Sequence, residues 1–219
     1  MNLTPNQSCE MSIQKAAFVC SMAAYGEYPG AGLPEIAIAG KSNVGKSSMI
    51  NRLCNRQRLA KTSGTPGKTR MINIFRINDD FHLVDLPGYG FAKVSQAEQA
   101  KWGEMIEGYF ARSALLSLVL HLVDIRHEPT AGDRDMLSFL RATEHAFAVI
   151  ATKADKISRA KRVQNIHLIA RTLQVQPFDI IPFSSEDGTG RDEVLERFAR
   201  VCGVGDRGNA GGASLGTVE

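Results

Sequence analysis

Apolar runs alternate with amphipathic stretches along most of the 219 residues. The apolar runs predict strands at 34–40, 70–78, 80–85, 115–123, 146–152 and 178–183. The amphipathic stretches predict helices at 46–54, 95–112, 132–144, 158–173 and 190–202. This alternation favours an α/β fold, in which helices cover both faces of a central, mostly parallel six-stranded sheet.

The two ends of the chain lack this alternation. We expect residues 1–24 to form an N-terminal extension that is partly flexible, in which 11–24 form a short helix or a strand. Residues 25–202 are predicted to form a single domain, and the glycine-rich tail 203–219 is predicted to be disordered. A link at 55–69 has no apolar periodicity, and a loop of that length is usually functional or mobile.

Composition indicates a globular protein of the cytoplasm. Hydrophobic residues make up 43% of the chain and charged residues 22%, and no segment reaches the 18 or more apolar residues of a membrane span. The four cysteines are scattered without metal or redox spacing, which favours reduced thiols. The apolar stretch 16–24 lacks the basic flank of a signal peptide. We therefore expect a cytoplasmic protein with no membrane partner, acting as a monomer.

The net charge is only +3, but its distribution is uneven. No Asp or Glu occurs from Ile36 to Asn78, or between Asp155 and Asp179. The cations of these two stretches are Lys41, Lys46, Arg52, Arg56, Arg58, Lys61, Lys68, Arg70, Arg76, Lys156, Arg159, Lys161, Arg162 and Arg171. Such runs suit a polyanion, above all a nucleic acid. The alternative is a solvated face whose acids come from elsewhere in the fold.

The sequence GKSNVGKS follows the first apolar strand and opens the first predicted helix. Strand, glycine loop and helix together predict a phosphate-binding loop, because its backbone N–H groups and the helix N-terminus attract phosphates. Lys46 is expected to reach the β- and γ-phosphates, and Ser47 to bind Mg²⁺. The loop residues are Gly40, Lys41, Ser42, Asn43, Val44, Gly45, Lys46 and Ser47. The alternative is an ordinary glycine turn beside a lysine.

Two further segments are candidates for sensing the γ-phosphate. Asp85-Leu86-Pro87-Gly88 follows an apolar strand, so that Asp85 can orient a water on Mg²⁺ and Gly88 can offer its N–H to the γ-phosphate. A switch threonine is expected in the acid-free link. Thr62, Thr65 and Thr69 are all candidates, and we prefer Thr69, within Gly67-Lys68-Thr69, because it directly precedes a strand.

Two later motifs indicate guanine as the base. Asp155, in Thr152-Lys153-Ala154-Asp155, can accept hydrogen bonds from the guanine ring N–H and amino group. The stem of Lys153 would lie along the base. Phe183-Ser184-Ser185, after the last strand, can donate a backbone N–H to the guanine carbonyl. ATP would leave these polar atoms unpaired, which makes a metabolic nucleotide kinase or an ATPase the weaker interpretation.

Taken together, LPEIAIAGKSNVGKSSMIN, SGTPGKTRMINIF, VDLPGYGFA, TKAD and FSS resemble the EngB family of bacterial ribosome-biogenesis GTP-binding proteins. The resemblance covers roughly residues 13–202 and implies a P-loop GTPase domain that binds GTP or GDP with Mg²⁺. It implies magnesium ligands at Ser47 and Thr69. It implies nucleotide contacts at 40–47, at Gly67, Lys68, Thr69, Arg70 and Met71, and at 85–88, 152–155 and 183–185. It also implies a role in late assembly of the large ribosomal subunit and in normal cell division and septation.

Hydrolysis by such a site depends on placement and on charge neutralisation. Lys46, Thr69, Gly88 and Asn43 are the candidates for these tasks. Tyr89 stands where Ras-like proteins have a glutamine that positions the attacking water, so we expect slow intrinsic turnover. Asn43 matches an asparagine that helps hold K⁺ in related GTPases, or else it only tolerates the angles of the loop. An alternative function is a signalling switch that binds a protein partner of the division machinery.

Overall fold

A computed structural model of the chain describes residues 11–28, 32–61, 71–90 and 96–203. The N-terminal ten residues, the tail from residue 204 and residues 62–70, which contain the candidate switch threonines, lie outside these ranges. The predicted flexibility of both ends therefore stays a prediction.

Strands of the described chain form one seven-stranded sheet, in the order β1-β3-β4-β2-β5-β6-β7. They are β1 Ala16–Met22, β2 Glu35–Gly40, β3 Ile72–Ile77, β4 Phe81–Asp85, β5 Leu116–Asp124, β6 Phe147–Thr152 and β7 Ile180–Pro182. The strands from β4 to β7 in this order are parallel, and β1, β3 and β4 pair antiparallel. The mostly parallel sheet is confirmed, but the predicted count of six strands is wrong.

The additional strand is β1, which the sequence left open as helix or strand. Its pairing with β3 shifts register between Phe18 and Cys20. Such a bulge adds one residue to a strand and breaks the alternation of inward and outward side chains. The period-two pattern is therefore weak, although β1 completes the edge of the sheet.

Five α-helices occur in the described ranges, close to their predicted positions. They are α1 Lys46–Leu53, α2 Gln96–Arg112, α3 Ala131–Ala142, α4 Arg159–Leu173 and α5 Arg191–Cys202. Short 3-10 helices span Ala154–Lys156 and Pro177–Asp179. The second one replaces the start of the strand predicted at 178–183, since Pro177 favours a helical first turn. None of the helices in the described part of the chain is long and apolar enough to cross a bilayer.

Apolar side chains cover both faces of the sheet, as predicted. Met49 of α1 and Phe198 of α5 are fully buried with Ile36 and Ile38 of β2 in one cluster. Tyr109 and Phe110 of α2 and Leu140 of α3 lie with Ala37 and Ala39 in another. Alternate β2 side chains thus enter opposite layers, as a strand buried on both faces requires.

The amino end of β2 is fixed by a buried carboxylate. Glu35 is fully buried and accepts hydrogen bonds from Tyr25, Tyr28, Tyr109 and Ser113, at 2.6 to 2.8 Å. A buried carboxylate is tolerated when its lone pairs are satisfied in this way. This network holds α2 to one end of the sheet and leaves the carboxyl ends of the parallel strands for the predicted site.

Candidate functional site

The predicted phosphate loop connects β2 to α1, and its shape requires small residues. Gly40 ends β2 so close to β5 that a Cβ would lie 2.8 Å from the carbonyl oxygen of Leu122. Gly45 has φ +115°, a left-handed conformation that favours glycine. Asn43 has φ +63°, which asparagine tolerates better than most residues. Lys46 follows as the first residue of α1, so the helix N-terminus faces the loop.

Asp85 ends β4 beside Lys46 and is almost fully buried. The Lys46 ammonium lies 4.0 Å from Asp85 Oδ1, which has no hydrogen-bond partner in the described part of the chain. Burial raises the pKa of Asp85, although Lys46 and Asn73 oppose this effect. A buried carboxylate oxygen without a partner fits the oxygen donors that Mg²⁺ takes directly or through water. The half-buried Ser47, which follows Lys46 in α1, supplies a hydroxyl oxygen of the same kind. Ser47 and Asp85 would hold the ion, which would neutralise phosphate charge.

The Leu86-Pro87-Gly88 segment lies against the phosphate loop. The Leu86 N–H donates to the Ile38 carbonyl at 3.1 Å, which continues the pairing of β4 with β2. A Cβ at Gly88 would lie 2.9 to 3.1 Å from Ser42 and from the Lys46 Nζ. The structure therefore brings Gly88, Lys46 and Asp85 together, as the sequence predicted.

Thr152 and Lys153 bind the phosphate loop from β6. Thr152 Oγ1 is 2.7 Å from the Val44 carbonyl oxygen and 3.0 Å from that of Val123. Lys153 Nζ donates to the carbonyl of Asn43 at 2.8 Å and to Asp124 Oδ2 at 2.9 Å. The base motif and the phosphate loop are thus joined directly, and contact of the Lys153 stem with a base stays a prediction.

The two predicted guanine motifs lie side by side. The Ala154 N–H donates to the Phe183 carbonyl at 3.0 Å, and Ser184 Oγ donates to Asp155 Oδ1 at 3.0 Å. Burial tends to raise the pKa of Asp155, but hydrogen bonds from Lys156 and Ser184 lower it below its usual value. The carboxylate is therefore ionised and can accept N–H donors. Ser185, which follows Ser184, is half-buried.

Asp124, at the carboxyl end of β5, is a site residue that the sequence reasoning missed. Besides Lys153 it binds the Arg126 guanidinium through two contacts, at 2.9 and 2.7 Å. Although burial raises its pKa, these partners hold it well below the ordinary value. Its position was the available signal, because it ends a strand at the same edge of the sheet as the predicted motifs.

Part of the predicted site cannot be placed. Gly67, Lys68, Thr69 and Arg70 lie outside the described residues, as do the alternatives Thr62 and Thr65. Met71 is described, lies directly before β3 and is 39% exposed. The switch threonine Thr69, which is also a predicted magnesium ligand, therefore stays a prediction.

Comparisons with known proteins identify the family of this chain. A family model described as "50S ribosome-binding GTPase" matches residues 35–153. The "Probable GTP-binding protein EngB" of Exiguobacterium sp. is 50% identical over 197 residues, which cover 90% of this chain and 100% of the relative. That of Heliobacterium modesticaldum is 48% identical over 187 residues, covering 85% and 91%.

Solved structures show the same fold. A crystal structure of a probable GTP-binding protein EngB has a TM-score of 0.64 at 25% identity and covers 77% of this chain and 98% of its own. The Aquifex aeolicus Era structure bound to GDP and AlF4⁻ has a TM-score of 0.61 at 23% identity, covering 77% and 56%. The second likeness concerns the fold alone.

Proposed function

Because the chain belongs to the EngB family of GTP-binding proteins, which bind GTP and GDP and hydrolyse GTP, we propose that its GTPase cycle controls late assembly of the large ribosomal subunit. The proposal places the protein in the cytoplasm, with Mg²⁺ as cofactor, and makes normal cell division and septation depend on it. The description of the matching family as 50S ribosome-binding supports this partner.

One observation carries the proposal: cations without carboxylate partners on two surfaces. On α4, Arg159, Lys161 and Arg171 are exposed, and the helix contains no Asp or Glu. Within the described ranges none of the three lies within 4.0 Å of a carboxylate, whereas Arg191 and Arg200 of α5 do. Unpaired surface cations are free to neutralise phosphates.

The second surface is formed by the first part of the link that follows α1. Arg56, Arg58 and Lys61 are exposed, and in the described part of the chain they too have no carboxylate within 4.0 Å. This surface leads directly into residues 62–70, where the switch threonine is predicted. The proposal is that α4 provides constant attraction to RNA, while the link responds to the nucleotide.

The test is co-sedimentation with large ribosomal subunits, with a non-hydrolysable GTP analogue, with GDP and without nucleotide, over a salt series. We expect pelleting that favours the analogue and weakens steeply as salt rises, because phosphate contacts release counterions. Arg159→Gln/Lys161→Gln/Arg171→Gln should lower the salt dependence in every nucleotide state.

A matched control variant has the same change in net charge, but its substitutions lie on other helices. Lys101→Gln/Arg112→Gln/Arg200→Gln removes three exposed cations outside α4 and should leave pelleting unchanged. Absence of pelleting in all nucleotide states would contradict the ribosome proposal. It would leave GTP hydrolysis intact and favour a protein partner of the division machinery.

A further inference from the structure

We propose that Asp133 of α3 is a positioning residue for GTP hydrolysis, which acts through Tyr89 to hold Gly88 on the phosphate loop. This inference concerns the nucleotide cycle itself and does not depend on the ribosomal partner. It also gives a role to the tyrosine that follows the Asp-x-x-Gly motif.

The side chain of Tyr89 is fixed between α2 and α3. It is 8% exposed, and its hydroxyl donates to Asp133 Oδ1 at 2.6 Å. Its ring lies edge-on to Trp102, with centroids 5.9 Å apart, and stacks on His121 at 6.4 Å. Gly132 gives it room, since a Cβ there would come within 3.1 Å of the ring. Because the phenol donates its proton to Asp133 inside the protein, it does not orient a water at the phosphate site.

The main chain around Tyr89 is fixed to the phosphate loop. Its carbonyl accepts a hydrogen bond from the Ser42 N–H at 3.0 Å, and Lys41 pairs with it in a parallel bridge. Two residues before Tyr89, the Pro87 carbonyl accepts from Trp102 Nε1 at 2.9 Å. Gly88 therefore lies between two anchored neighbours, packed against the loop.

Asp133 is itself held rigidly at the start of α3. Its Oδ2 accepts from the N–H and the hydroxyl of Thr130, both at 2.7 Å, and the residue is 4% exposed. One carboxylate oxygen thus fixes the helix end and the other binds Tyr89. Thr130 and Asp133 also line, with residues 41–44 of the phosphate loop, a cleft of about 190 Å³. The anchor is therefore next to the predicted phosphate site.

This arrangement matters for GTP more than for GDP. Gly88 is the expected ligand of the γ-phosphate, which GDP lacks. A backbone N–H that is already ordered in the free protein loses less conformational entropy when it binds the γ-phosphate. Loss of the anchor should therefore weaken binding of the triphosphate selectively, whereas general destabilisation would affect both nucleotides.

The deciding variant is Tyr89→Phe, which removes only the hydroxyl. We expect affinity for a non-hydrolysable GTP analogue to fall, by at most about tenfold, because the stability contribution of one buried hydrogen bond sets the upper limit, with GDP affinity unchanged. The single-turnover rate at saturating GTP should also fall. Equal weakening of both nucleotides, no change in either, or tighter binding of the analogue would overturn the proposal.

The chain offers a matched control. Tyr28 is also 8% exposed and also donates to a carboxylate, Glu35, at 2.6 Å, but at the opposite end of the sheet. Tyr28→Phe should lower stability similarly and leave the ratio of analogue to GDP affinity unchanged. A change in that ratio for both variants would assign the effect to stability rather than to position.

Two variants separate the roles of Asp133. Thr130→Ala removes a contact of the helix-capping oxygen but keeps the Tyr89 contact, so it should reduce stability and not the affinity ratio. Asp133→Asn leaves one acceptor oxygen where Tyr89 and Thr130 use two, so part of the Tyr89 anchor is lost and the ratio should shift in the same direction as in Tyr89→Phe. An altered ratio in Thr130→Ala with none in Asp133→Asn would contradict the inference, even if Tyr89→Phe failed to fold.

Discussion

At the residue scale, His121 on β5 is the most unusual buried side chain near the site. It is fully buried, and neither ring nitrogen has a hydrogen-bond partner within the described ranges. The groups that face it are Tyr89, stacked on its ring, and Asp133 Oδ1, 4.0 Å from its Nε2. Burial lowers the pKa of His121 to about 4, against the attraction of Asp133, so the ring is neutral at neutral pH.

This burial predicts a pH dependence of stability. The unfolded imidazole has a pKa of about 6.5, so between that pH and about 4 the unfolded state binds the extra proton. The stabilisation is complete above the unfolded pKa and is lost as pH falls, by up to about 1.4 kcal/mol per pH unit. Urea denaturation of wild type and His121→Phe over this window measures it.

The unfolding free energy of His121→Phe should depend less on pH than that of the wild type. Because both ring nitrogens lack partners, an apolar ring in their place should cost little stability at neutral pH. His82 and His145, whose pKa values burial also lowers, contribute to both proteins and cancel in the difference. Parallel curves for the two proteins would contradict the assignment to His121.

A substitution of Asn43 can test whether K⁺ takes part in hydrolysis. Its left-handed backbone, which asparagine tolerates better than most residues, explains an asparagine here without an ion, so both hypotheses stay open. If K⁺ supplies positive charge between the phosphates, turnover should be faster in KCl than in NaCl, and Asn43→Ala should abolish the difference. Equal wild-type rates would refute a role for K⁺.

In either salt we expect the isolated protein to hydrolyse GTP at below about 1 s⁻¹, because Tyr89 replaces the glutamine that positions the attacking water in Ras-like proteins.

At the element scale, α1 holds the first part of the basic link. The Asn51 side chain forms two hydrogen bonds with Ala60, donating to its carbonyl at 2.9 Å and accepting from its N–H at 2.8 Å. Asn51 and Ala60 are both buried. The link predicted from the sequence as one long loop over 55–69 is therefore attached to α1 up to residue 60.

Removal of this attachment should loosen the link. Asn51→Ala leaves two buried backbone groups unpaired, so we expect a loss of about 2 kcal/mol in unfolding free energy and faster amide exchange at residues 58–61. Asn165→Ala is the control, since Asn165 donates a buried hydrogen bond to the Ile125 carbonyl at 2.7 Å, far along the chain. It should lower stability without changing exchange at 58–61. Unchanged protection at Ala60 in Asn51→Ala would contradict this role.

At the scale of the whole molecule, the four predicted nucleotide motifs lie close together. The phosphate loop, the Asp85 segment, Thr152 to Asp155 and Phe183 to Ser185 each follow the carboxyl end of a strand, and the parallel strands bring these ends to one edge. Direct hydrogen bonds then join Lys153 to the loop and Asp155 to Ser184. The cations on α4 and on the link lie on surface segments outside these motifs, where a large polyanion could reach them.

The sequence by itself determined the fold class, the order of all the elements except β1, and the positions of four candidate nucleotide motifs. These features are local, because a glycine loop, an acidic residue after a strand and an amphipathic period each act over a few neighbouring residues. The family resemblance rests on the same segments, and the family is confirmed. The bounds of the predicted elements differ from the observed ones by at most two residues, including the last strand, whose start is replaced by the 3-10 helix Pro177–Asp179.

Only the tertiary structure decided the partners of the polar residues. The hydrogen bonds of Tyr89 with Asp133, Lys153 with Asp124 and Tyr109 with Glu35 join residues 29 to 74 positions apart. No periodicity records which distant side chains meet, because that depends on how strands are ordered and how helices pack on them. For the same reason the sequence did not identify β1 as a strand, because its bulge is defined only by its pairing with β3. Nor did the sequence reveal the hydrogen bond to Asp133 on which the proposed role of Tyr89 depends.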